Sequence, residues 1–448
     1  MRHLFGTDGI RGVAGEFPLD ASTVERIGLA LTWTLRDEES VEAPRVLVGR
    51  DTRESGEKLE AALSRGIAQA GGAVSLVGVV TTPAVAHLTL AAGFDAGVVI
   101  SASHNAFQDN GIKVFSRRGM KLPDHEEAGI ERRILGDDFH PAPRTGPVPI
   151  GAEDLLERYL NSLVQAVGAG RPFVGVRVAL DCAHGAATRI APEIFTRLGA
   201  QTLLLGGSPD GRNINSRCGS LHPESLAETV VKESTDLGFA FDGDGDRVVA
   251  VDRSGRILDG DYILYLAAED LKERGLLSGG TVVATVMSNL WLEKALASAG
   301  IRMMRAPVGD KYVLEAMQRG GFALGGEQSG HIIFLRDATT GDGVLTALKF
   351  LDLLRRRRID LSHWAASITP CPQILLNVRV GSKPPLEGVA EIQRAVALAE
   401  RELKGSGRVL LRYSGTEPIL RVMVEGEDEA QISRTASELR DLVAARLG

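Results

Sequence analysis

The sequence predicts an α/β protein of three related α/β units followed by a C-terminal α+β module. Two observations carry this. Short runs of β-branched and aliphatic residues alternate with amphipathic stretches from residue 45 to about residue 330, the pattern of strands connected by helical crossovers. From about residue 370 the order changes to strand, helix, two strands about a turn, and a closing helix. The 448 residues exceed what one hydrophobic core supports, and the usual domain size makes a multi-domain chain the expectation.

The elements follow in order. RVLVGRD from 45 reads as a strand, 54–70 as a helix, AVSLVGVV as a strand, 83–92 as a helix, and DAGVVIS as a strand that breaks into SASHN. The second pass runs through VGVRVALDC, a helix near 186–198, TLLLGG, a helix near 223–234, and LGFAFD opening into DGDGDR. The third starts at TVVATV, continues through helices near 289–299 and 310–319, and reaches FALGGEQSGH. QILLNVRV, a helix near 387–403, RVLLRYS and ILRVMVEG build the last module. The linker HPAPRTGPVP at 140–149 marks a boundary by composition. The pattern places the units at 1–150, 151–253, 254–367 and 368–448.

Bulk properties narrow the function. Apolar residues at 44% and charged residues at 24% are globular values. The formal charge of −7 argues against nonspecific binding to nucleic acid or an anionic membrane. An anionic substrate therefore requires locally clustered cations. RRRR at 355–358 ends an amphipathic helix, where cations complement the helix dipole. Cys182, Cys218 and Cys371 are few, odd in number and without CxxC spacing, so neither a disulfide framework nor a zinc site is expected. No apolar leader core and no stretch of about 18 uninterrupted apolar residues occurs, which predicts a soluble, cytoplasmic protein.

Chemistry is expected in the polar loops, because ligands of open α/β sheets bind beyond the carboxyl ends of the strands. In DGDGDR, Asp242, Asp244 and Asp246 alternate with glycines that let the backbone curl. At about 4 Å each carboxylate pair repels by roughly 4 kcal/mol at an effective dielectric near 20, a cost that a divalent cation reverses. Hard oxygen ligands favour Mg²⁺ or Ca²⁺. An EF-hand is excluded, because Arg247 stands where its glycine belongs and Arg253 where its glutamate belongs.

RYSGTEP with Arg421 joins a tight turn to two guanidiniums and two hydroxyls, an anion-binding set of Arg412, Ser414, Gly415, Thr416 and Arg421. FGTDGIRG contributes Arg11. GGEQSGH offers Glu327, Ser329 and His331, suited to sugar hydroxyls and proton transfer. In the SASHN loop Ser103 can be a nucleophile, with Lys113 as a charge partner. No GxSxG elbow surrounds that serine, and GxxxxGK[ST], GxGxxG and HExxH are absent. A serine with a carboxylate loop and arginines fits phosphoryl transfer better than acyl transfer.

Taken in order, FGTDGIRG, SASHN, DGDGDR, GGEQSGH and RYSGTEP resemble the α-D-phosphohexomutase superfamily over essentially the whole chain. Within it, TVMSNLWLEKAL, TTGDGVLTAL and Gln328 in place of the methionine of GEMSGH resemble the bacterial amino-sugar branch. The resemblance implies four domains around a central active-site cleft, each supplying one loop. It implies that Ser103 is carried as phosphoserine and that Asp242, Asp244 and Asp246 hold Mg²⁺ with a phosphoserine oxygen. Glu327 and Ser329 would contact sugar hydroxyls, and the Arg412 to Arg421 turn would grip the nonreacting phosphate. Arg247 and Lys113 would stabilise the transferring phosphoryl group, with His331 and Lys113 as candidates for moving the hydroxyl proton and Arg11 as a phosphate or orientation contact.

The implied reaction interconverts glucosamine 6-phosphate and glucosamine 1-phosphate through glucosamine 1,6-bisphosphate, with a bisphosphosugar as activator, and the family suggests a homodimer. A phosphomannomutase or phosphoglucomutase uses the same loops, and a Mg²⁺-dependent sugar-phosphate phosphatase would let water take the phosphoryl group. Two positions depart from the family pattern. Ala106 replaces a common proline and Lys311 a common arginine.

Overall fold

The computed structural model describes residues 4–6, 8–37, 40–136, 152–168, 170–403, 405–414 and 418–448. They form two compact units, one of residues 1–285 with 304–365 and one of residues 286–303 with 366–448.

The first unit contains the α/β layers that the sequence pattern predicts. Its first sheet has the spatial order Phe5–Gly6, Gly9–Val13, Asp109–Ser116, Ala96–Ile100, Arg45–Arg50, Ala73–Val79. Arg45–Arg50 runs parallel to both Ala73–Val79 and Ala96–Ile100, which are reached through the helices Gly56–Gln69 and Thr82–Ala91. Asp109–Ser116 returns antiparallel beside Ala96–Ile100. AGVVI at 96–100 is buried at every position, as expected of a strand covered on both faces, whose sequence reads as a continuous apolar run.

The second sheet orders Ile257–Leu258, Val248–Asp252, Leu237–Phe241, Arg177–Asp181, Gln201–Leu205. Arg177–Asp181 is parallel to Gln201–Leu205 and to Leu237–Phe241. Val248–Asp252 turns back antiparallel immediately after DGDGDR, so the carboxylate loop is the hairpin between two fully buried strands. In the third sheet Thr281–Thr285 is parallel to Leu324–Gly326, and Ile332–Phe334 pairs antiparallel with the latter. GEQSGH is again the connection. All three polar loops lie between a buried strand and its antiparallel return.

The second unit is the α+β module. Gln373–Arg379, Ile419–Gly426 and Gly407–Tyr413 form an antiparallel sheet with Ile419–Gly426 at its centre. The helices Ala390–Glu402 and Glu429–Leu447 complete its core. The helix Leu290–Ser298, which follows the first strand of the third sheet in sequence, belongs to this unit. Its attachment is polar: buried Glu425 accepts from the Leu290 N–H at 2.7 Å and pairs with Arg408 at 2.6 Å. That guanidinium in turn donates to the carbonyls of Val286 and Ser288.

All three cysteines are free thiols. Burial, then the nearby Asp181 carboxylate, pushes the Cys218 thiol up to about 12 and holds Cys182 higher still.

RRRR is divided between several roles. Arg356 pairs with Asp270 and Asp352, Arg357 with Glu269 and Glu273. Arg355 donates to the Val174 carbonyl, and Arg358 takes a left-handed conformation that caps the helix Gly343–Arg357. The run is a helix terminus, as its dipole predicts.

Candidate active site

The loop that follows Ala96–Ile100 is built around a backbone turn. Ser103 has φ +52° and is buried. A serine in the left-handed region costs on the order of 1 kcal/mol, and fixed partners hold it there. Its N–H donates to Ser101 Oγ at 2.9 Å, and Ser101 donates to Asp51 at 2.5 Å. Arg53, fully enclosed, donates to the carbonyls of Ser103, Asn105, Ala106 and Asp109 while its Nε pairs with Asp51 at 2.9 Å. Asn215 Nδ2 adds bonds to the carbonyls of Ser103 and Asn105 at 2.9 and 3.0 Å. These bonds hold the serine loop, the Ala106 carbonyl among those that Arg53 engages.

The Ser103 hydroxyl donates to Asp242 Oδ2 at 2.6 Å. Asp242, Asp244 and Asp246 are all buried, and one carboxylate oxygen from each lies within 4.8 Å of the others. The glycines permit this approach. A Cβ at Gly243 would stand 2.6 Å from the Ser103 carbonyl, and Gly245 has φ +71°. Asp244 Oδ1 and Asp246 Oδ1 are enclosed without a hydrogen-bond donor. Buried carboxylate oxygens left without donors are costly, and three carboxylates converging on one point, two of them with such an oxygen, suit a hard divalent cation. Without one, burial and then the charges of Asp246 and Asp244 push the Asp242 carboxyl well above its usual range.

Cations surround the cluster. Lys113 Nζ, on Asp109–Ser116, lies 2.9 Å from Asp244, 3.1 Å from Asp8 and 3.7 Å from Asp246. Burial disfavours its charge, but these carboxylates outweigh it and hold the ammonium above its ordinary pKa. Thr82 Oγ1 donates to Asp244 at 2.6 Å. Arg247 Nε is 3.8 Å from Asp246, and the backbone N–H of Arg247 donates to Asp242 at 3.2 Å. Arg11 donates to the Ala102 carbonyl and to Asn105 Oδ1, and pairs with Asp8. His104 is pushed down to about 4 by burial and then by the charges of Arg247 and Arg11, so it is neutral near pH 7.

The third loop faces the same cluster. Both His331 nitrogens are engaged: Nε2 accepts the Gly341 N–H at 2.9 Å, and Nδ1 is 3.5 Å from Asp246. Burial disfavours the imidazolium, while Asp246 and Asp310 shift His331 above its ordinary pKa. Glu327 accepts from the Gly309 N–H at 3.0 Å and from Ser329 Oγ at 3.1 Å. Lys311 pairs with Asp124 and Glu127 on the helix Asp124–Leu135, so its single ammonium serves the protein itself.

The turn behind His331 is braced by Asp342. It caps the helix Gly343–Arg357 by accepting the Leu345 N–H at 2.9 Å and accepts the Tyr159 hydroxyl at 2.7 Å, while the Gly343 N–H donates to the Gly245 carbonyl. Burial pushes Asp342 up to about 6. The folded state therefore keeps this proton at pH values where the unfolded chain has released it, and its contribution to stability is lost as pH rises from about 4 to about 6. Asparagine keeps the cap acceptor and does not titrate. Asp342→Asn is expected to gain up to roughly 3 kcal/mol relative to the parent between pH 4 and pH 7. Urea unfolding at the two pH values checks this, and a constant difference would contradict it.

In the second unit, Arg412 and Arg421 are direct cross-strand partners. Like charges placed opposite each other are destabilising unless an anion joins them. Ser414 N–H donates to the Ile419 carbonyl at 2.9 Å, and Lys383 Nζ donates to the Ser414 carbonyl at 2.6 Å. Gly415 and Thr416 lie outside the described residues.

The structure thus brings Ser103, Lys113, Arg247, His331, Arg11, Glu327, Ser329 and the three aspartates into one unit, and Arg412, Ser414 and Arg421 into the other. Arg53, Asp51, Asn215, Thr82 and Asp8 escaped the sequence reading. Asp51 and Arg53 follow a buried strand in VGRDTR, the same position that pointed to the other loops.

Four family models cover the chain. They are described as phosphoglucomutase/phosphomannomutase alpha/beta/alpha domain I at residues 2–141, domain II at 157–255, domain III at 259–371 and the C-terminal domain at 375–442. The phosphoglucosamine mutase of Moorella thermoacetica is 50% identical, over 98% of this chain and 99% of its own length. That of Symbiobacterium thermophilum is 48% identical over the full length of both. Among solved structures, a phosphoglucomutase/phosphomannomutase family protein of Burkholderia thailandensis superposes with a TM-score of 0.82 at 25% identity, covering 99% of this chain and 97% of that one. An Aspergillus fumigatus N-acetylphosphoglucosamine mutase, solved with GlcNAc-6P and magnesium, shares the fold at a TM-score of 0.66 and 18% identity, over 99% and 95% of the two chains. With full-length identity at this level and all four domain models in order, the chain belongs to the phosphoglucomutase/phosphomannomutase family and, within it, to the phosphoglucosamine mutases.

Proposed function

We propose that the chain interconverts glucosamine 6-phosphate and glucosamine 1-phosphate, with Ser103 as the phosphoryl carrier. The observation that carries this reading is the Ser103 hydroxyl held 2.6 Å from Asp242 in a buried three-carboxylate loop ringed by Lys113 and Arg247. Relatives 45–50% identical over full length carry the phosphoglucosamine mutase name. In the forward direction the phosphoserine P–Oγ bond breaks as a bond forms to the sugar 1-hydroxyl, giving glucosamine 1,6-bisphosphate. The bisphosphate turns around, its 6-phosphoryl group returns to Ser103, and glucosamine 1-phosphate leaves. A trace of the bisphosphate acts as activator.

Asp242, Asp244 and Asp246 would hold Mg²⁺, which supplies charge stabilisation at the phosphoryl oxygens. The chain's own residues do the rest. Lys113, kept charged, and Arg247 stabilise the transferring group, in keeping with phosphoryl transfer being chiefly positioning and electrostatics. His331, with both nitrogens engaged, orients Asp246, and Arg11 braces the serine loop. Glu327 and Ser329 receive sugar hydroxyls. The paired Arg412 and Arg421 with Ser414, Gly415 and Thr416 hold the nonreacting phosphate in both substrate orientations. The four domains of this reading are 1–150, 151–253, 254–367 and 368–448. Among the described residues no helix is long and apolar enough to cross a membrane. A cytoplasmic homodimer with neither nucleic-acid nor membrane partners completes the proposal.

The test is kcat/KM with Mg²⁺ and bisphosphate activator for glucosamine 6-phosphate, mannose 6-phosphate and glucose 6-phosphate. Preference for the amino sugar is expected. Preference for mannose or glucose would move the chain to another branch of the family, and phosphate release without isomer would make it a phosphatase.

A further inference from the structure

Lys121 stands outside every loop that the sequence singles out, yet it touches the acidic partners of two of them. Its ammonium bonds both Asp8, which precedes Arg11, and Asp310, which opens the helix Asp310–Gly320. Asp8 lies 3.1 Å from Lys113, and Asp310 lies 3.8 Å from His331 Nε2. Lys121 is therefore one contact removed from the cation beside the three aspartates and one contact removed from the histidine beside Asp246. Its side chain is 12% exposed. Burial disfavours its charge, but Asp310 and Asp8 outweigh that and raise its pKa.

The backbone under Lys121 is fixed from several sides. It bridges Phe115 across a hairpin closed by the Ser116 N–H to the Met120 carbonyl at 2.8 Å. The Gly119 carbonyl at the tip accepts from the Thr339 hydroxyl, and Gly119 has no room for a side chain, since a Cβ would lie 2.3 Å from the Ala86 carbonyl. A buried cation on a clamped hairpin, shared by two carboxylates from distant parts of the chain, is more than a surface ion pair.

We propose that Lys121 is a positioning residue for phosphoryl transfer. By engaging the Asp8 oxygen that faces away from Arg11 and Lys113 it leaves the charge of Lys113 directed at Asp244 and Asp246, and by holding Asp310 it fixes the wall against which His331 sits. This rests on the mutase reading. Without Lys121, Asp8 competes for Lys113, and the loss falls on the transition state more than on ground-state binding.

The experiment measures kcat and KM for glucosamine 6-phosphate with Mg²⁺ in the full chain, alongside thermal unfolding, for Lys121→Met, Lys121→Gln, Lys121→Arg, Asp310→Asn and the Lys121→Met/Asp310→Asn double variant. Lys121→Met is expected to lower kcat by about tenfold or more with KM moved less than about threefold, and Lys121→Arg to recover most of the loss. The double variant should lose little beyond Lys121→Met alone, because the two residues act as a unit. Lys121→Gln, which keeps a hydrogen-bond donor without the charge, should resemble Lys121→Met and serves in its place if the methionine variant does not fold. Unchanged kcat in either neutral variant, failure of arginine to restore it, or additive losses in the double variant would overturn the proposal. A parent protein that does not turn over glucosamine 6-phosphate would overturn the mutase reading instead.

Discussion

Ser103→Ala is expected to abolish isomerisation, lowering kcat by about 10⁴-fold or more, in line with removal of a covalent nucleophile. The buried hydroxyl has one short partner, Asp242 at 2.6 Å, and a weaker contact with His104 at 3.2 Å. Thr82 also places a hydroxyl on the carboxylate loop, at Asp244, whereas Ser103 sits on the SASHN loop at Asp242. Alanine can follow the same left-handed backbone, so the scaffold of Arg53, Asn215 and Ser101 stays intact and thermal unfolding should move little. A second readout separates nucleophile from structural prop: incubation with a radiolabelled bisphosphosugar should label the parent protein on Ser103 and leave the variant unlabelled. Retained label, or isomerisation within tenfold of the parent, would remove Ser103 from the mechanism.

Most of the architecture was legible because buried strands announce themselves. AGVVI and LGFAF are continuous apolar runs, and each is followed by a polar segment that carries the chemistry. The three aspartates were legible because alternate carboxylates separated by glycine have little reason to be crowded except around a cation. The supports of the site were not. Arg53 looks like an ordinary surface arginine in a helix approach, and only the tertiary fold shows it enclosed among four carbonyls of the serine loop. Lys121 and Asp310 are 189 residues apart, and no local pattern reports a contact at that separation. The helix Leu290–Ser298 shows the same limit for packing. Its sequence continues the third α/β unit, while the buried Glu425 and Arg408 bind its start to the last one. Periodicity reveals which face of an element is buried, and it is silent about which neighbour covers it.

The second large effect concerns the carboxylate loop. Three buried aspartates carry two oxygens without donors, and Asp242 is pushed well above the usual carboxylate range by burial and by its two neighbours. A bound divalent cation removes that repulsion in the folded state and has no comparable site in the unfolded chain. Mg²⁺ at a hundredfold excess over its Kd should therefore stabilise the fold by about 2.7 kcal/mol. Thermal unfolding with and without Mg²⁺ reads this directly, independently of catalysis. Asp244→Asn should abolish the shift and lower kcat by about 10³-fold or more. The metal-free variant should be no less stable than the metal-free parent, because one of three repelling charges is gone while Asp8 and Asp246 remain as partners for Lys113. The signs differ from those of an ordinary buried ion pair, whose breakage destabilises. An Asp244→Asn protein that unfolds well below the metal-free parent, or a parent whose unfolding ignores Mg²⁺ while full activity survives chelation, would mean that Lys113 and Arg247 alone neutralise the loop and that the three aspartates hold no cation.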